Sequence, residues 1–423
     1  MAASLLFGKT FRNIMAEQKK AMPYYVQDKE VIEEIKSQNP DYVSRLSFVQ
    51  SEGYPFYRNT HFEYYAPCEE GFECMLNELR KAEKYIFMEY FIIEEGVMWN
   101  SILSILEEKA KQGVEVRVMY DDMGSLNTLP ASYVKVLQKK GIKAVSFNRI
   151  SPIINIIMNH RDHRKILVID GKVAFSGGAN LADEYINKKI VHGHWMDNII
   201  CVKGNAVWSY LVTFLTNWNA LCHEDEDYTV FKNTETIDES ICDGYIAPYA
   251  ETPLDGELTG QCIYEDILNS ANRYVYIMTP YLIIDSEMIN TLIHTAKKGV
   301  DVRIIMPGIA DKKIIHDIGE SYYHQLIQGG VKIYEYEPGF VHSKVFISDD
   351  ICATVGTINL DYRSLYLHFE NGTLLYKSRR IENIKQNFED TLKECKQMTT
   401  QGTRVHTCKD FFLSIIRIFS PLL

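Results

Sequence analysis

Two stretches of eighteen residues repeat one arrangement of polar residues. The first is HRKILVIDGKVAFSGGAN, from His163 to Asn180, and the second is HSKVFISDDICATVGTIN, from His342 to Asn359. In each stretch a Lys follows the His by two residues, and an Asp follows the Lys by five. The shared polar positions are His163, Lys165, Asp170 and Asn180 in the first stretch and His342, Lys344, Asp349 and Asn359 in the second. Two long gapless copies of this motif indicate a duplicated functional site.

A His and a Lys in each motif suit the chemistry of a phosphate ester. Imidazole titrates near neutral pH, so a ring can attack as a neutral base or donate a proton as a cation. An ammonium group can hold a phosphoryl oxygen. With two pairs, one His would attack phosphorus, the other would protonate the leaving alcohol, and both Lys would hold non-bridging oxygens. This exchange of phosphodiesters needs no metal ion and no other cofactor.

Short apolar runs predict the strands that position the motifs. The runs 166–169 and 345–347 are rich in β-branched residues and are typical of buried strands. Because side chains alternate between faces along a strand, the His and the Lys of each motif share one face. Asp170 and Asp349 lie at an odd offset from the His residues. We therefore expect these two carboxylates to tie the halves together or to fix the motif loop.

The elements around the motifs are duplicated as well. In the first half, helical periodicity alternates with apolar runs in the order β-α-β-α-β-β, which is typical of helices covering a sheet. The segments 271–277, 299–304 and 330–333 repeat the segments that begin at residues 82, 113 and 141. The predicted fold class is α/β, with two tandem α/β/α sandwich halves. Their sheets are predicted to be mixed and mainly parallel, and a pseudo-two-fold axis would bring the motifs together.

The sequence predicts five segments. They are an N-terminal amphipathic, helical extension (1–50), a first domain (51–222), an acidic connector (223–261), a second domain (262–409) and an apolar C-terminal tail (410–423). The connector holds eleven Asp or Glu and one Lys, so most of the formal charge of −11 belongs to it. We expect it to be solvated. The first 22 residues and the tail could pack on the body or lie at a lipid surface.

Cysteine and hydropathy patterns exclude some classes of protein. Nine Cys without a C-x-x-C pair give neither a disulfide framework nor a zinc pattern. No run of eighteen apolar residues exists, so we expect no membrane-spanning helix in this chain.

The duplicated motif resembles the phospholipase D superfamily, whose mark is two H-x-K-x4-D motifs in one chain. More closely, the chain is similar to the bacterial cardiolipin synthases over nearly its whole length. The segments that carry this resemblance are YDDMGS (120–125), GGAN (177–180), GHWMD (193–197), TPYLI (279–283), GFVHSK (339–344) and DYRS (361–364). These synthases usually begin with two membrane-spanning helices, and the start of this chain resembles the end of the second one.

The resemblance implies two phospholipase D-like halves and a phosphatidyl transfer. One phosphatidylglycerol would give its phosphatidyl group to a His, and a second would accept it, yielding cardiolipin and glycerol. It implies His163 as the nucleophile and His342 as the general acid. It also implies a membrane surface as partner, with the chain associated from the cytoplasmic side, and no nucleic acid.

Three alternatives remain open from the sequence. In a phospholipase D-type hydrolase, water would take the second step. A nuclease of the superfamily would need a basic groove with interleaved aromatic residues, whereas this chain is close to neutral outside the connector. A non-catalytic lipid-binding protein would not need both His and both Lys, and all four are intact.

Four further residues are candidates for supporting roles. Asn180 and Asn359 follow the glycine turns and could donate hydrogen bonds to phosphate. A catalytic imidazole usually needs its second nitrogen fixed by a carboxylate or a carbonyl. Asp197 precedes a predicted strand at 198–202, and Glu370 follows a strand-like run at 366–369. We expect Asp197 to bond His163 and Glu370 to bond His342.

Overall fold

The structure, a computed structural model, describes residues 8–38, 45–149 and 159–400. Within these ranges, three α-helices precede the first sheet, namely α1 (Lys9–Ala21), α2 (Lys29–Gln38) and α3 (Ser47–Ser51). The apolar tail from residue 410 lies outside the described residues, as do the first seven residues. Within the described ranges, no helix combines the length and the apolar character that crossing a membrane requires.

The first half is built around a seven-stranded sheet with the order β1-β8-β6-β5-β2-β3-β4 within the described ranges. Its strands are β1 (Thr60–Tyr65), β2 (Tyr85–Tyr90), β3 (Glu115–Asp121), β4 (Lys143–Phe147), β5 (Lys165–Ile169), β6 (Val173–Gly177) and β8 (Ile199–Gly204), while β7 (His194–Met196) lies apart. Its helices are α4 (Cys68–Arg80), α5 (Val97–Lys111), α6 (Tyr133–Lys139) and α7 (Val207–Cys222). The alternation predicted from the sequence is confirmed, with bounds shifted by a few residues.

The second half contains an eight-stranded sheet with the order β19-β13-β12-β10-β15-β16-β18-β9 within the described ranges. Its strands are β9 (Tyr245–Glu251), β10 (Tyr274–Met278), β12 (Asp301–Pro307), β13 (Lys332–Tyr336), β15 (Val345–Ser348), β16 (Cys352–Gly356), β18 (Glu370–Tyr376) and β19 (Cys395–Gln397). The short strands β11 (Leu282–Ile283), β14 (Gly339–Val341) and β17 (Leu360–Asp361) lie outside it. Its helices are α8 (Thr259–Ser270), α9 (Ser286–Lys297), α10 (Lys313–Gln328), α11 (Tyr362–Tyr366) and α12 (Ile381–Leu392).

The seven described strands of the first sheet correspond in order to seven of the eight in the second, where β19 is additional, and this confirms two repeated α/β halves. Both are mixed, as predicted, but the parallel share is smaller than expected. In the described part of the two sheets, the parallel pairs are β2–β3 and β3–β4 in the first sheet and β10–β12 and β12–β13 in the second. The other strand pairs of these sheets are antiparallel. Outside them, the short pairs β7–β14 and β11–β17 are parallel. The motif strands β5 and β6 instead form a tight hairpin, which forces antiparallel pairing there. The antiparallel hairpin carries the motif.

The acidic segment 223–261 is not only a solvated connector, and that prediction is corrected. Strand β9 lies within it, is buried at every residue and pairs with β18 along the edge of the second sheet. It is the counterpart of β1 in the first sheet. Glu226 accepts two hydrogen bonds from the buried guanidinium of Arg117, at 2.6 and 2.8 Å. This segment therefore supplies a core strand and neutralises a buried cation.

The halves pack against one another through a shared apolar core. Helix α7 is buried over nearly its whole length, and its Tyr210 hydroxyl bonds Thr373 of the second half. Helix α1 lies against α7 and buries Phe11 and Ile14. The sequence left two interpretations of the N-terminal amphipathic stretch, packing on the body or lying at a lipid surface. Its described part packs on the body. The shared core includes Ile166 and Val168 of β5 and Val345 and Ile347 of β15, so both motif strands pack against it.

Candidate active site

The two motif His residues lie where the two halves meet. Each His precedes its motif strand, and the backbone of each is held by the opposite half. The amide of His163 donates to the carbonyl of Phe369 at 2.8 Å, and the amide of His342 donates to the carbonyl of Met196 at 2.7 Å. Strand β14 pairs with β7 in parallel, which fixes the second contact. The pseudo-two-fold relation predicted from the repeat therefore brings the motifs to one place.

Each imidazole bonds a buried carboxylate, but not the one predicted. Nδ1 of His163 lies 2.8 and 3.0 Å from the carboxylate oxygens of Glu370, and Nδ1 of His342 lies 2.6 Å from Oδ2 of Asp197. The expected pairing of Asp197 with His163 and Glu370 with His342 is wrong. Asp197 follows the strand β7, which pairs with the strand β14 just before His342. Glu370 follows Phe369, which pairs with the residue just before His163. Each acid therefore faces the His of the other half.

The local prediction around Glu370 is also corrected. The run 366–369, predicted to be strand-like, instead begins with the last residue of the short helix α11 and continues through a turn, and Glu370 is the first residue of β18. Asp197 does precede a strand, as predicted, since β8 begins two residues later. Both acids are fully buried. Each carboxylate is therefore held rigidly against one imidazole.

The two motif Lys side chains are buried beside the His residues. Nζ of Lys165 donates to the carbonyl of His163 at 2.6 Å, and Nζ of Lys344 donates to the carbonyl of His342. Burial lowers the pKa of Lys165 to about 7 and that of Lys344 to about 8, although the nearby carboxylates of Glu370 and Asp197 oppose this shift. A phosphate anion would favour the charged form of both ammonium groups.

The electrostatics favour neutral imidazoles before substrate binds. Burial is the largest effect and lowers the pKa of both His163 and His342, against the opposing pull of their carboxylate partners. A neutral ring whose Nδ1–H donates to a carboxylate leaves Nε2 with a free electron pair. This is the form a nucleophile or a general base requires.

The motif Asp residues lie at the far end of the motif strands. Asp170 accepts three backbone hydrogen bonds of 2.8 Å from residues 83–85, at the start of β2. Lys165, by contrast, pairs with Tyr90 at the other end of that strand. Asp349 repeats the arrangement with residues 272–274 and also contacts Arg45 at 3.3 Å. Both positions fit the expected anchoring of the motif loop, and their catalytic role stays a prediction.

The two motif Asn side chains are placed differently. Asn180 uses its amide within the protein, donating to the hydroxyl of Tyr185 at 2.7 Å and accepting from the amide of Ile92 at 3.0 Å. The buried carbonyl oxygen of Asn359 has no hydrogen-bond partner among the described residues. Both residues line the same cavity. Only Asn359 therefore has an amide oxygen left to contact a ligand.

A cavity of about 330 Å³ joins the two motifs. His163 and His342 both line it, together with aromatic and aliphatic side chains from both halves. Charged side chains also line it: Glu184, Asp311, Lys312, Asp361 and Arg363. An apolar wall with a few polar groups around two imidazoles suits a ligand that has a polar reacting centre and apolar extensions.

The sequence analysis missed several residues of this site. His368 lies beside His163, with ring centroids 5.8 Å apart, and Trp195 lies beside His342 at 5.5 Å. The hydroxyl of Thr357 donates to Glu370. A repeated acid–Asn pair, Asp197-Asn198 and Glu370-Asn371, was visible in the sequence and could have aligned these positions.

Ligand atoms of His163, His368 and Glu370 lie within 4.8 Å of one another, a spacing that a metal ion can use. However, both oxygens of Glu370 already accept hydrogen bonds from His163 and Thr357. The carboxylate is therefore committed to orienting the imidazole, which is the arrangement of an acid–base pair rather than of a metal ligand.

Known proteins share both the sequence and the fold. The family described as cardiolipin synthase, PLD-like domain, matches residues 75–210 and 264–392. Cardiolipin synthase 2 of Bacillus cereus is 34% identical and aligns with 100% of this chain and 83% of its own length. A cardiolipin synthase of Alkalihalophilus pseudofirmus is 35% identical over 84% of this chain and 71% of its own length.

A phosphatidylserine synthase from Haemophilus influenzae has a similar fold, with a TM-score of 0.67 at 15% identity, over 89% of this chain and 99% of that one. The resemblance stated from the motifs is thus confirmed by a family match in both halves and by relatives aligned along most of the sequence. The chain belongs to the phospholipase D superfamily, within the family of cardiolipin synthases.

Proposed function

We propose that this protein synthesises cardiolipin by moving a phosphatidyl group between two phosphatidylglycerol molecules. One observation carries the proposal. Two imidazoles from opposite halves, each with Nδ1 on a buried carboxylate, line a single cavity between the motifs. The names of the aligned relatives support cardiolipin as the product, the family resemblance of the motifs supports phosphatidylglycerol as the substrate, and the residues of the site support an exchange of phosphodiesters.

In the first step, Nε2 of His163 attacks the phosphorus of one phosphatidylglycerol. A P–N bond forms and the bond from phosphorus to the glycerol head group breaks. His342 takes up a proton when the anionic phosphate binds beside it, and this imidazolium, stabilised by Asp197, gives the proton to the departing oxygen, so glycerol leaves neutral. Lys165 and Lys344 stabilise the charge that grows on the non-bridging oxygens.

In the second step, the roles of the imidazoles reverse. His342 is now neutral and takes the proton from a hydroxyl of the second phosphatidylglycerol. The oxygen of that hydroxyl attacks phosphorus, the P–N bond breaks, and His163 is released as cardiolipin forms. One phosphodiester replaces another, so the energy of the first bond is kept through the phosphohistidine and no other cofactor is required.

The proposal includes a lipid substrate and a cellular location for the protein. The substrate is an anionic phospholipid, and the protein works at the cytoplasmic surface of the cell membrane. It also includes the organisation of the chain, in which the two motif-bearing halves act only as a pair.

Product analysis tests the proposal. The purified chain should convert phosphatidylglycerol vesicles into equimolar cardiolipin and glycerol, measured by lipid mass spectrometry and by a glycerol assay. Phosphatidic acid as the main product, with an alcohol-dependent change of product, would identify a hydrolase instead. Expression in a cardiolipin-deficient bacterium tests the same conclusion in a cell.

The assignment of the two imidazoles has its own test. Substrate labelled in the phosphatidyl group should leave label on His163 after rapid quenching, and peptide mapping locates it. Label on His342 alone would reverse the two roles without changing the overall reaction.

A further inference from the structure

The mouth of the active-site cavity is bordered by two segments that expose large apolar side chains, the loop 187–193 and the segment 308–315, which runs into the first turn of α10. In the first segment, Ile190 is 81% exposed and Val191 is 47% exposed. In the second, Ile309 is 40% exposed and Ile314 is 62% exposed. Exposed apolar side chains that cluster at one place commonly mark a binding surface, whereas scattered ones do not.

The two segments are neighbours and both border the cavity. Val191 lines the cavity from the first segment, and Ile315 lines it from the first turn of α10 in the second. A Cβ atom built on Gly193 would lie 2.9 Å from Cδ1 of Ile309, which places the two segments in contact. The four exposed apolar side chains, Ile190, Val191, Ile309 and Ile314, therefore form one rim, which we call the mouth rim.

Lysines accompany the apolar residues in both segments. Lys188 and Lys189 precede Ile190, Lys312 and Lys313 precede Ile314, and all four Lys are exposed. Lys189 also pairs with Glu94 at 2.6 Å and Lys313 with Asp317 at 3.6 Å. Apolar side chains flanked by exposed cations are the combination that binds an anionic bilayer surface. The apolar groups enter the boundary between head groups and acyl chains while the ammonium groups contact phosphates.

We propose that the mouth rim docks the protein on the surface of an anionic phospholipid bilayer, so that the cavity opens directly onto the lipid head groups. The inference rests on the proposed function for its choice of lipid. Docking at the mouth lets a head group enter the cavity while the acyl chains stay in the bilayer, which avoids their transfer into water.

The first experiment compares vesicle binding and turnover. The double variant Ile190→Ser/Ile314→Ser should lose roughly tenfold or more of its affinity for phosphatidylglycerol vesicles in sedimentation assays. It should also lose turnover on those vesicles, while turnover of dissolved short-chain phosphatidylglycerol stays at the wild-type rate. Val230→Ser is the matched control, because Val230 is 71% exposed near the opposite end of the first sheet. Unchanged vesicle binding by the double variant would overturn the proposal.

A second measurement reports the position of the rim directly and does not depend on other parts of the chain. In Ile190→Trp and Ile314→Trp variants, lipids brominated in their acyl chains should quench the added fluorescence, but not that of Val230→Trp. Equal quenching at all three positions, or none, contradicts the inference. If instead the double Ser variant changes from dimer to monomer with normal vesicle binding, the rim is a contact between copies.

These outcomes separate the two proposals. Rim-dependent vesicle binding without cardiolipin formation would support docking and refute the proposed reaction. Cardiolipin formation that is independent of the rim would do the reverse.

Discussion

Glu370, in the second half of the chain, fixes the imidazole of His163 in the first half, with Nδ1 2.8 Å from the nearer carboxylate oxygen. The reciprocal contact joins Asp197 of the first half to His342 of the second at 2.6 Å. Neither His is oriented by an acid of its own half. Each motif imidazole therefore has its carboxylate partner only when both halves are folded against one another.

Neutralising either acid should impair turnover without unfolding the chain. Glu370→Gln and Asp197→Asn keep the shape of each side chain but remove the charge that stabilises an imidazolium ion. We expect turnover on phosphatidylglycerol to fall roughly 10²- to 10⁴-fold, the range that acid–base catalysis commonly contributes. Turnover assays beside thermal melts measure both effects.

Glu78→Gln serves as the control for this pair. Glu78 is also buried and bonds Lys203 at 2.8 Å, but it lies away from the cavity. This variant should lower the melting temperature and keep turnover. Wild-type turnover in Glu370→Gln would show that the observed pairing has no catalytic role.

The sequence predicted the elements of each half well because strand and helix periodicity are local signals. The pairing of each acid with its His depends on contacts between the two halves, which leave no local signal in the sequence. His342 is closer in sequence to Glu370 than to Asp197, and the spacing of 28 residues favoured pairing within one half. The actual pairing follows from the two segments that cross between halves, and these are too short to show periodicity.

The parallel share of each sheet was overestimated for a related reason. The βαβ order was predicted correctly up to β4, but β5 and β6 form a hairpin with a loop of three residues, Asp170 to Lys172, in which Asp170 and Gly171 have positive φ. Such a turn reverses the chain, so antiparallel pairing follows. The strand β9 was missed because the acidic residues on either side of it made the segment resemble a solvated linker.

The motif lysines should lower the stability of the folded chain but should be needed for turnover. Lys165→Met keeps the stem and removes a donor to the phosphoryl oxygens, so turnover should fall about 10²- to 10³-fold. Burial holds the pKa of Lys165 at about 7, below its unfolded value of 10.5. At and below pH 7, the folded state thus pays for a buried charge, and the variant should melt at a higher temperature than the wild type.

The advantage of the Lys165→Met variant should shrink as pH rises from about 7 to 10.5. In that window the wild-type folded state loses its proton while the unfolded state keeps it, so wild-type stability increases with pH. Melting curves of both proteins at several pH values test this. A constant difference across the window would mean that the buried ammonium does not titrate there.

The motif Asp residues should act mainly on stability. Asp349→Asn removes the charge that accepts three backbone amide bonds, each in the class of roughly 1.5–3 kcal/mol. Burial raises the pKa of Asp349, but these hydrogen bonds outweigh it and hold the pKa below 3.8. The wild-type advantage should therefore be present above pH 3.8 and vanish as pH falls through the lower folded pKa.

The measurement is the melting temperature together with turnover of the remaining folded protein. Asp170→Asn should also lower the melting temperature at neutral pH, because Asp170 makes the matching three contacts. A variant that melts like the wild type yet has no activity would instead assign the motif Asp a direct part in the chemistry.

The final prediction concerns one position at which the two halves differ. Thr357 donates its hydroxyl to Glu370, whereas the equivalent residue in the first half is Gly178. A Cβ atom at Gly178 would collide with the carboxylate of Asp197. The shorter Asp therefore occupies the space that the Thr side chain fills in the second half. Thr357→Val should remove one hydrogen bond to a charged acceptor and lower turnover roughly tenfold or more.

Thr357→Ser, which keeps the hydroxyl, should retain most of the turnover, and Gly178→Ala should lower it by displacing Asp197 from His342. Melting temperatures separate these effects from unfolding. If the Val and Ser variants were equally active, the hydroxyl would have no part in holding Glu370. If Gly178→Ala were fully active, Asp197 could move without loss, and the 2.6 Å contact with His342 would not be needed for turnover.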